Sequence, residues 1–398
     1  MEYRKLKELA TISISNVDKK TAENEKTVRL CNFVDVYRNW AITENMIPNF
    51  MIASAKENEI EKYALHKGDV CITKDSETKD DIGMSTYIAD DIDGLVLGYH
   101  CALISPDKSV LDGKYLNAFL QTDFVRKFYE LNASGSGQRY TLSLDTIGEI
   151  PIPVISLEEQ KRKGELLSLI DRKIENNNKI NDNLFKQAML LYEHWFLQFD
   201  YPNENGKPYK SSGGKMYTPP KSKRSIPIRW RIGNMSDLFT ICNGKDHSNL
   251  ASGSHPVYGS GGIMRYVNDY LYSGESVLIP RKGTLNNIIY VNDTFWTVDT
   301  MFFTKMKAPN TAIYSYFAAR MYDYNKLNMG TGVPSMTSSV IYSLGVVIPE
   351  THILNKFNAS VKPLFDTIKH NTDENDNLKG IRNWLLPMLM SGQATIAD

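Results

Sequence analysis

Two glycine loops hold the side chains best placed to act on a ligand. GSGQRYT, residues 135–141, follows Ser134 and presents Ser136, Gln138, Arg139 and Tyr140; GTGVPSM, residues 330–336, presents Thr331 and Ser335. Small residues let backbone N–H groups come close to a phosphate, while Arg and Gln can pair with base edges in a major groove. A plain turn is the alternative for each loop. A second pair lies upstream: HKGDVCITKDSETKDDIG at 66–83 and YSGESVLIPRKGTLNNIIY at 272–290. In both, a glycine and an acid lead into a strand that ends in a polar, basic turn. Lys74 in one, and Arg281, Lys282, Thr284 and Asn286 in the other, are expected to project from loops carried by a sheet, the usual place for variable recognition. Ser260 and Arg265, at and just beyond the GSGG turn of 259–262, complete the candidate set.

The groups that would make a catalyst are missing. GKY, GKP, GKM and GKD are the only Gly-Lys sites, so no GxxxxGK[ST] nucleotide loop exists. HExxH, GxSxG and the NPPY or DPPY tetrapeptides of amino-methyltransferases are absent too. Seven histidines show no ligand spacing, and Cys31, Cys71, Cys101 and Cys242 lack CxxC spacing. Neither a zinc site nor a disulfide framework is expected; the cysteines read as buried free thiols.

A recognition surface needs a frame, and the frame is written twice. NDNL occurs at 181–184 and at 375–378, a displacement of 194 residues, the step from Asn181 to Asn375. Each copy follows a glycine loop, a short β-like run (EIPIPV, LGVVIPE) and then a segment apolar at spacings of three and four, at 157–199 and 351–391. The first seam reads Ile170, Ile174, Asn177, Asn181, Leu184, Ala188, Leu191, Trp195; the second reads Leu364, Ile368, Asn371, Asn375, Leu378, Arg382, Leu385, Leu389. Both carry asparagine at the same two steps. A polar residue in an apolar seam lowers stability but fixes register and orientation, so the asparagines are expected where two equivalent helices meet; solvated helix surface is the alternative. Pro363 and Gly380 should weaken the second helix and Pro387 should kink or end it.

Between the halves, residues 208–231 hold seven Lys or Arg, four prolines, two glycines and no acid, the composition of a linker without a packed core. A chain of 398 residues exceeds one ordinary core. Its charged opening lacks the apolar stretch of a signal peptide, and no apolar run reaches a membrane span, so a cytoplasmic protein is expected. Formal net charge is zero, which leaves any nucleic-acid role to local patches or to partners.

The succession GSGQRYTLSLDTIGEIPIPVISLEEQ, KIENNNKINDNL, SIPIRWRIGNMSDLFTICNGKD, GTGVPSMTSSVIYSLGVVIP and NDNLKGIRNWLLPMLMSG resembles the DNA specificity subunit of Type I restriction–modification systems over nearly the whole chain. The resemblance implies an α+β fold of two β-rich mixed target-recognition domains, joined by two long antiparallel α-helices as a coiled coil with a pseudo-two-fold internal repeat. Its divisions would be a target-recognition domain at 1–153, a conserved helical spacer at 154–200, the basic linker at 201–230, a second target-recognition domain at 231–349 and a second spacer at 350–398. It further implies double-stranded DNA as ligand, two methyltransferase subunits and restriction/translocase subunits as partners, and no membrane. No cofactor or metal is expected in this chain; S-adenosylmethionine, ATP and Mg would belong to the partners. The second copy enters its helix through ETHILNKF, without the LEEQ of 157–160. Two other classes stand beside this one: a coiled-coil interaction scaffold that does not bind DNA, and an enzyme with an unrecognised site.

Overall fold

The computed structural model describes residues 2–135, 139–220, 224–328, 330 and 332–396. They form two compact units, one of Met1–Asn178 with Thr372–Asp398 and one of Lys179–Asn371.

The first unit is built on a five-stranded sheet in the order Ala10–Ile14, Cys101–Pro106, Val70–Thr73, Ser85–Ile88, Ala41–Ile42. The strand Val70–Thr73, VCIT, is buried at all four positions. Val70 and Ile72 enter one core with Tyr115 and Leu116, while Cys71 enters another with Cys31 and Cys101. Alternating side chains of a strand covered on both faces require this unbroken apolar run. A three-stranded sheet of Met51–Ala55, Lys26–Cys31 and Leu95–Leu97 lies in the same unit, as does a small one of Ser134–Gly135, Tyr140–Thr141 and Asp75–Ser76. Cys31, Cys71 and Cys101 are buried free thiols; Cys242, in the second unit, is only partly buried.

The second unit has a six-stranded sheet ordered Phe239–Asn243, Met301–Met306, Tyr272–Pro280, Ile289–Thr297, Ser252–Gly259, Gly262–Val267. Its core is aromatic: the Phe196 ring lies 4.7 Å from Tyr314 and 4.8 Å from Phe357, both edge-on, geometry that adds to area burial. The basic segment joins this core. Tyr201 stacks on Tyr209 and on Trp230 at 4.7 and 5.0 Å, and Tyr201, Ile226 and Trp230 are buried. The expectation of a linker without packed core is therefore corrected: three apolar side chains among the lysines anchor it.

The repeat is visible in backbone pairing. Glu2–Lys5 pairs antiparallel with Pro151–Val154, and Arg231–Asn234 pairs antiparallel with Gly345–Ile348. After each, the chain closes the same way: Leu6 N–H donates to Ile150 C=O at 2.9 Å, and Met235 N–H donates to Leu344 C=O at 2.9 Å.

The long helices run Leu157–Tyr192, continued by a π-helical turn Glu193–Leu197, and Thr351–Ser391. Within the first unit Asp171 faces Arg382 and Asn177 faces Asn375; within the second, Asn181 faces Asn371 and Trp195 faces Phe357. Partner numbers fall as the first helix rises, so the pairing in each unit is antiparallel. Ile170, Ile174, Asn177, Ala188, Trp195, Asn371, Asn375 and Leu389 are buried, and Asn181, Leu184, Leu191, Leu364, Ile368, Leu378, Arg382 and Leu385 are half-buried. Pro363, Gly380 and Pro387 all lie inside the second helix, which does not end at Pro387 but runs on to Ser391. The Thr367 hydroxyl donates to the Pro363 carbonyl at 2.9 Å, and the packing of one helix face outweighs local propensity.

Candidate nucleic-acid interface

In the first unit the strand Val70–Thr73 delivers Lys74 into a clamp. Lys74 N–H donates to the His100 carbonyl at 2.9 Å, and Leu142 N–H donates to the Lys74 carbonyl at 2.8 Å. The turn after the strand is thereby fixed to the end of the glycine loop, and Tyr140–Thr141 pairs with Asp75–Ser76. Asp75 is the hub. Its Oδ2 accepts from Lys74 Nζ at 2.9 Å, from His100 Nδ1 at 2.5 Å and from the Arg139 guanidinium at 3.4 Å, and the Thr141 hydroxyl also donates to it. Burial pushes the Asp75 carboxyl upward, but Lys74, Thr141 and His100 together hold it below the ordinary carboxylate value. His100 reaches this place from a left-handed backbone, φ 70°, a conformation that costs energy for a non-glycine residue. Beside the hub opens a cavity of 520 Å³ walled by Phe33, Tyr37, Thr78, Asp81 and Arg139. Lys79 Nζ lies 5.3 Å from the centre of the half-buried Tyr140 ring.

The second unit builds the same clamp from other residues. Arg281 N–H donates to the Thr300 carbonyl at 2.8 Å, and Met336 N–H donates to the Arg281 carbonyl at 2.9 Å. Gly283 N–H donates to Pro334, and Lys282 bridges to Ser335. Gly283 has φ +88°, and a Cβ there would meet Ser260 Oγ at 2.6 Å, so only glycine lets this turn close on the 259–262 hairpin. Asn287 secures the contact by donating to the Ser260 carbonyl at 2.9 Å. Arg281, Lys282 and Thr284 are exposed, and among the described residues neither basic side chain pairs with a carboxylate; the Arg281 guanidinium lies 5.9 Å from the Phe302 ring centre.

The predicted residues therefore separate. Arg139 is exposed at the glycine loop, with its side chain 58% accessible, and Ser134 donates within its own hairpin to Thr141 at 3.3 Å. Lys74 does not project as expected: its side chain is 18% accessible and turned back onto Asp75. Asn286 is exposed, yet its side chain is engaged within the protein, donating to Asp323 at 3.0 Å and accepting from Tyr324 N–H at 2.7 Å. Arg265 donates to the backbone carbonyls of His247 and Leu250, so it braces a turn. Ser335, half-buried, receives its order from Asn328, whose side-chain oxygen accepts from Ser335 N–H at 2.8 Å. Ser136, Gln138 and Thr331 lie outside the described residues. Sequence reasoning missed Asp75, His100 and Thr141 in one unit and Asn287 and Asn328 in the other. Asp75 and Asn287 lie next to predicted residues, but their partners come from elsewhere in the chain: sheet pairing brings Thr141 to Asp75, and side-chain hydrogen bonds carry Asn287 to Ser260 and Asn328 to Ser335.

Among the described residues no group of three His, Cys, Asp or Glu is arranged to hold a metal, and no helix is long and apolar enough to cross a membrane. The chain resembles the MjaIX Type I restriction enzyme specificity subunit of Methanocaldococcus jannaschii, 24% identical over 316 residues, 72% of this chain and 70% of the relative. It also resembles the HindI specificity subunit of Haemophilus influenzae, 26% identical over 140 residues, 35% of this chain and 30% of that one. The crystal structure of the Type I restriction–modification S subunit from M. genitalium shares its fold, with a TM-score of 0.59 at 14% identity over 97% of this chain and 95% of the other. A family model, the Type I restriction modification DNA specificity domain, matches residues 1–185 and 227–379. The chain, with its clamp built twice, belongs to the Type I restriction–modification DNA specificity family.

Proposed function

We propose that this chain reads a bipartite, asymmetric DNA site for a Type I restriction–modification complex, one unit per half-site. In this reading the helices set the spacing between half-sites, and the chain scaffolds two methyltransferase subunits and restriction/translocase subunits. The observation that carries it is the repeated clamp. Leu142 N–H to Lys74 and Met336 N–H to Arg281 are the same backbone bond 194 residues apart on the donor side, yet the loops they hold are GSGQRYT and GTGVPSM. A conserved frame with divergent side chains suits two different half-sites. The chemistry would then belong to the partners, which would supply S-adenosylmethionine, ATP and Mg; this chain would bind none of them. A formal charge of zero fits a reader that shares phosphate contacts with its partners. Exposed Leu169, Leu190, Ile381 and Trp384 on the long helices are apolar surface suited to those partners, in the cytoplasm.

The test is binding-site selection from random-sequence duplexes, using the chain with whatever subunits co-purify with it. A two-part motif is expected, with retention falling steeply as salt rises. Arg139→Ala should disturb one half of the motif and Arg281→Ala the other. No enriched sequence would overturn the reading and leave a scaffold that does not touch DNA; methyl transfer by the isolated chain would make it an enzyme.

A further inference from the structure

The hairpin of Ser252–Gly259 and Gly262–Val267 exposes three large side chains: Ile263 at 49%, Met264 at 60% and Tyr266 at 45%. Gly262–Val267 is the edge strand of its sheet, where such surface is a liability unless something covers it. The exposure has a local cause. Pairing passes from Tyr258↔Ile263 to Val257↔Arg265, leaving Met264 with no residue opposite. That is a β-bulge, a device that bends a strand and re-aims a side chain. Around the tip, a Cβ added at Gly261 or Gly262 would meet nothing within 4 Å, so the turn stands clear. The hairpin is also tied to the clamp, because Ser260 accepts from Asn287 and packs against Gly283, next to the exposed Arg281 and Lys282.

We infer that this hairpin is a base-reading ribbon that enters the DNA major groove beside the clamp, with Ile263 and Met264 reading the C5 methyl of thymine. The inference rests on the DNA-reading role proposed for the second unit. Duplex DNA is the occupant the surface favours for three reasons. A two-stranded ribbon fits the width of a major groove, and the thymine methyl is the apolar mark that groove displays. Among the described residues the neighbouring Arg281 and Lys282 have no carboxylate partner, which leaves Arg281 to pair with a base edge and Lys282 to supply charge for a flanking phosphate. No equivalent hairpin flanks the clamp in the first unit among the described residues, so the two half-sites would be read by unlike means.

The experiment uses the full chain with its co-purifying subunits, the duplex recovered by selection, and the same duplex with uracil replacing thymine in the half-site that Arg281→Ala disturbs. Expected is a thymine in that half-site whose uracil replacement weakens binding on the order of ten-fold. The double variant Ile263→Ser/Met264→Ser should lose the same affinity and no longer distinguish thymine from uracil. Gly259→Ala gives a second route: a Cβ there would come 2.6 Å from Met264 Sδ, moving Met264 without deleting it, and should weaken discrimination in the same direction. A half-site without thymine overturns the inference, as does unchanged discrimination in the double variant while Arg281→Ala still alters the motif; the DNA-reading role survives both results. Loss of a co-purifying subunit with the motif unchanged overturns it in favour of a protein partner. If Arg281→Ala also leaves the motif intact, the reading of the second unit fails together with the ribbon.

Discussion

The side-chain amide of Asn177 donates a 2.9 Å hydrogen bond to the amide oxygen of Asn375. The displacement of 194 that carries Asn181 to Asn375 also carries Asn177 to Asn371, and in the second unit Asn371 donates to the oxygen of Asn181 at 2.8 Å. Donor and acceptor keep their roles through the repeat. The bond joins polar groups inside an apolar seam: Asn177 is 1% exposed and Asn375 4%. Shifting the helices by one turn would strand both amides away from water, at a penalty of about 1–3 kcal/mol each, so the pair fixes register.

The first prediction follows from that asymmetry. Asn177→Leu should destabilise the protein by about 1–3 kcal/mol, because the Asn375 oxygen loses its donor. Asn177→Leu/Asn375→Leu should recover part of the loss, since an apolar pair leaves no orphan in the seam. Thermal or denaturant unfolding of the two single variants and the double checks this; additive losses would show that the two amides do not act as a pair.

Arg281 and Asn286 lie in the same turn, and their variants should differ in kind. Arg281 is exposed and, among the described residues, has no carboxylate partner, so Arg281→Ala should leave the melting temperature unchanged and weaken binding by about 1–3 kcal/mol. Asn286 ties the turn to Asp323 and Tyr324. Asn286→Ala should therefore lower stability by roughly 0.5–1.5 kcal/mol, as Asp323 and the Tyr324 N–H lose their shared partner. Calorimetry beside a binding assay separates the two; equal effects on stability would make Arg281 part of the framework.

How far the sequence reveals this structure depends on how local each signal is. The asparagines are legible because a seam repeats within one helix and is written twice. The glycine loops are legible because turn chemistry lies in consecutive letters. Lys74 misleads, since a basic residue after a strand looks solvated until the fold brings His100 and Arg139 to its neighbour Asp75, from 25 and 64 residues away. Pro387 misleads for the converse reason: local propensity lets the helix end there, and it continues to Ser391. Tyr201 and Trp230 were hidden in a segment whose lysines dominate its composition.

The Asp75 hub makes a prediction about position. Burial raises the Asp75 carboxyl, its hydrogen bonds lower it further, and the net value lies below the ordinary one. Such a group binds fewer protons in the folded state. Its contribution is present above the usual carboxylate pKa and is lost as pH falls through the depressed folded value. Asp75→Asn keeps the shape and removes the charge that gathers Lys74 and Arg139. It should relax base preference in the first half-site while leaving the second unchanged, and it should flatten the acid limb of the stability curve. A selected motif identical to wild type would limit Asp75 to a structural role.

Asp171 carries the opposite shift. Burial between the helices of the first unit raises its carboxyl to about 6, Arg382 opposes this from 3.6 Å, and Glu175 adds to it. The Arg382 guanidinium is itself lowered by burial and lies 4.5 Å from the centre of the Trp40 ring. A raised carboxyl binds more protons in the folded state than in the unfolded one. Across the interval from the ordinary carboxylate value up to about 6, this group therefore makes the protein less stable as pH rises. The sign of each neighbour gives the test, read from the carboxyl carbon shift of Asp171 during an NMR titration. Glu175→Gln removes a like charge and should lower the midpoint, whereas Arg382→Met keeps an apolar side chain near Trp40 but removes the counter-charge and should raise it. A midpoint near the free-aspartate value, unmoved by either substitution, would mean that water reaches this part of the helix pair and that Asp171 and Arg382 form an ordinary surface ion pair.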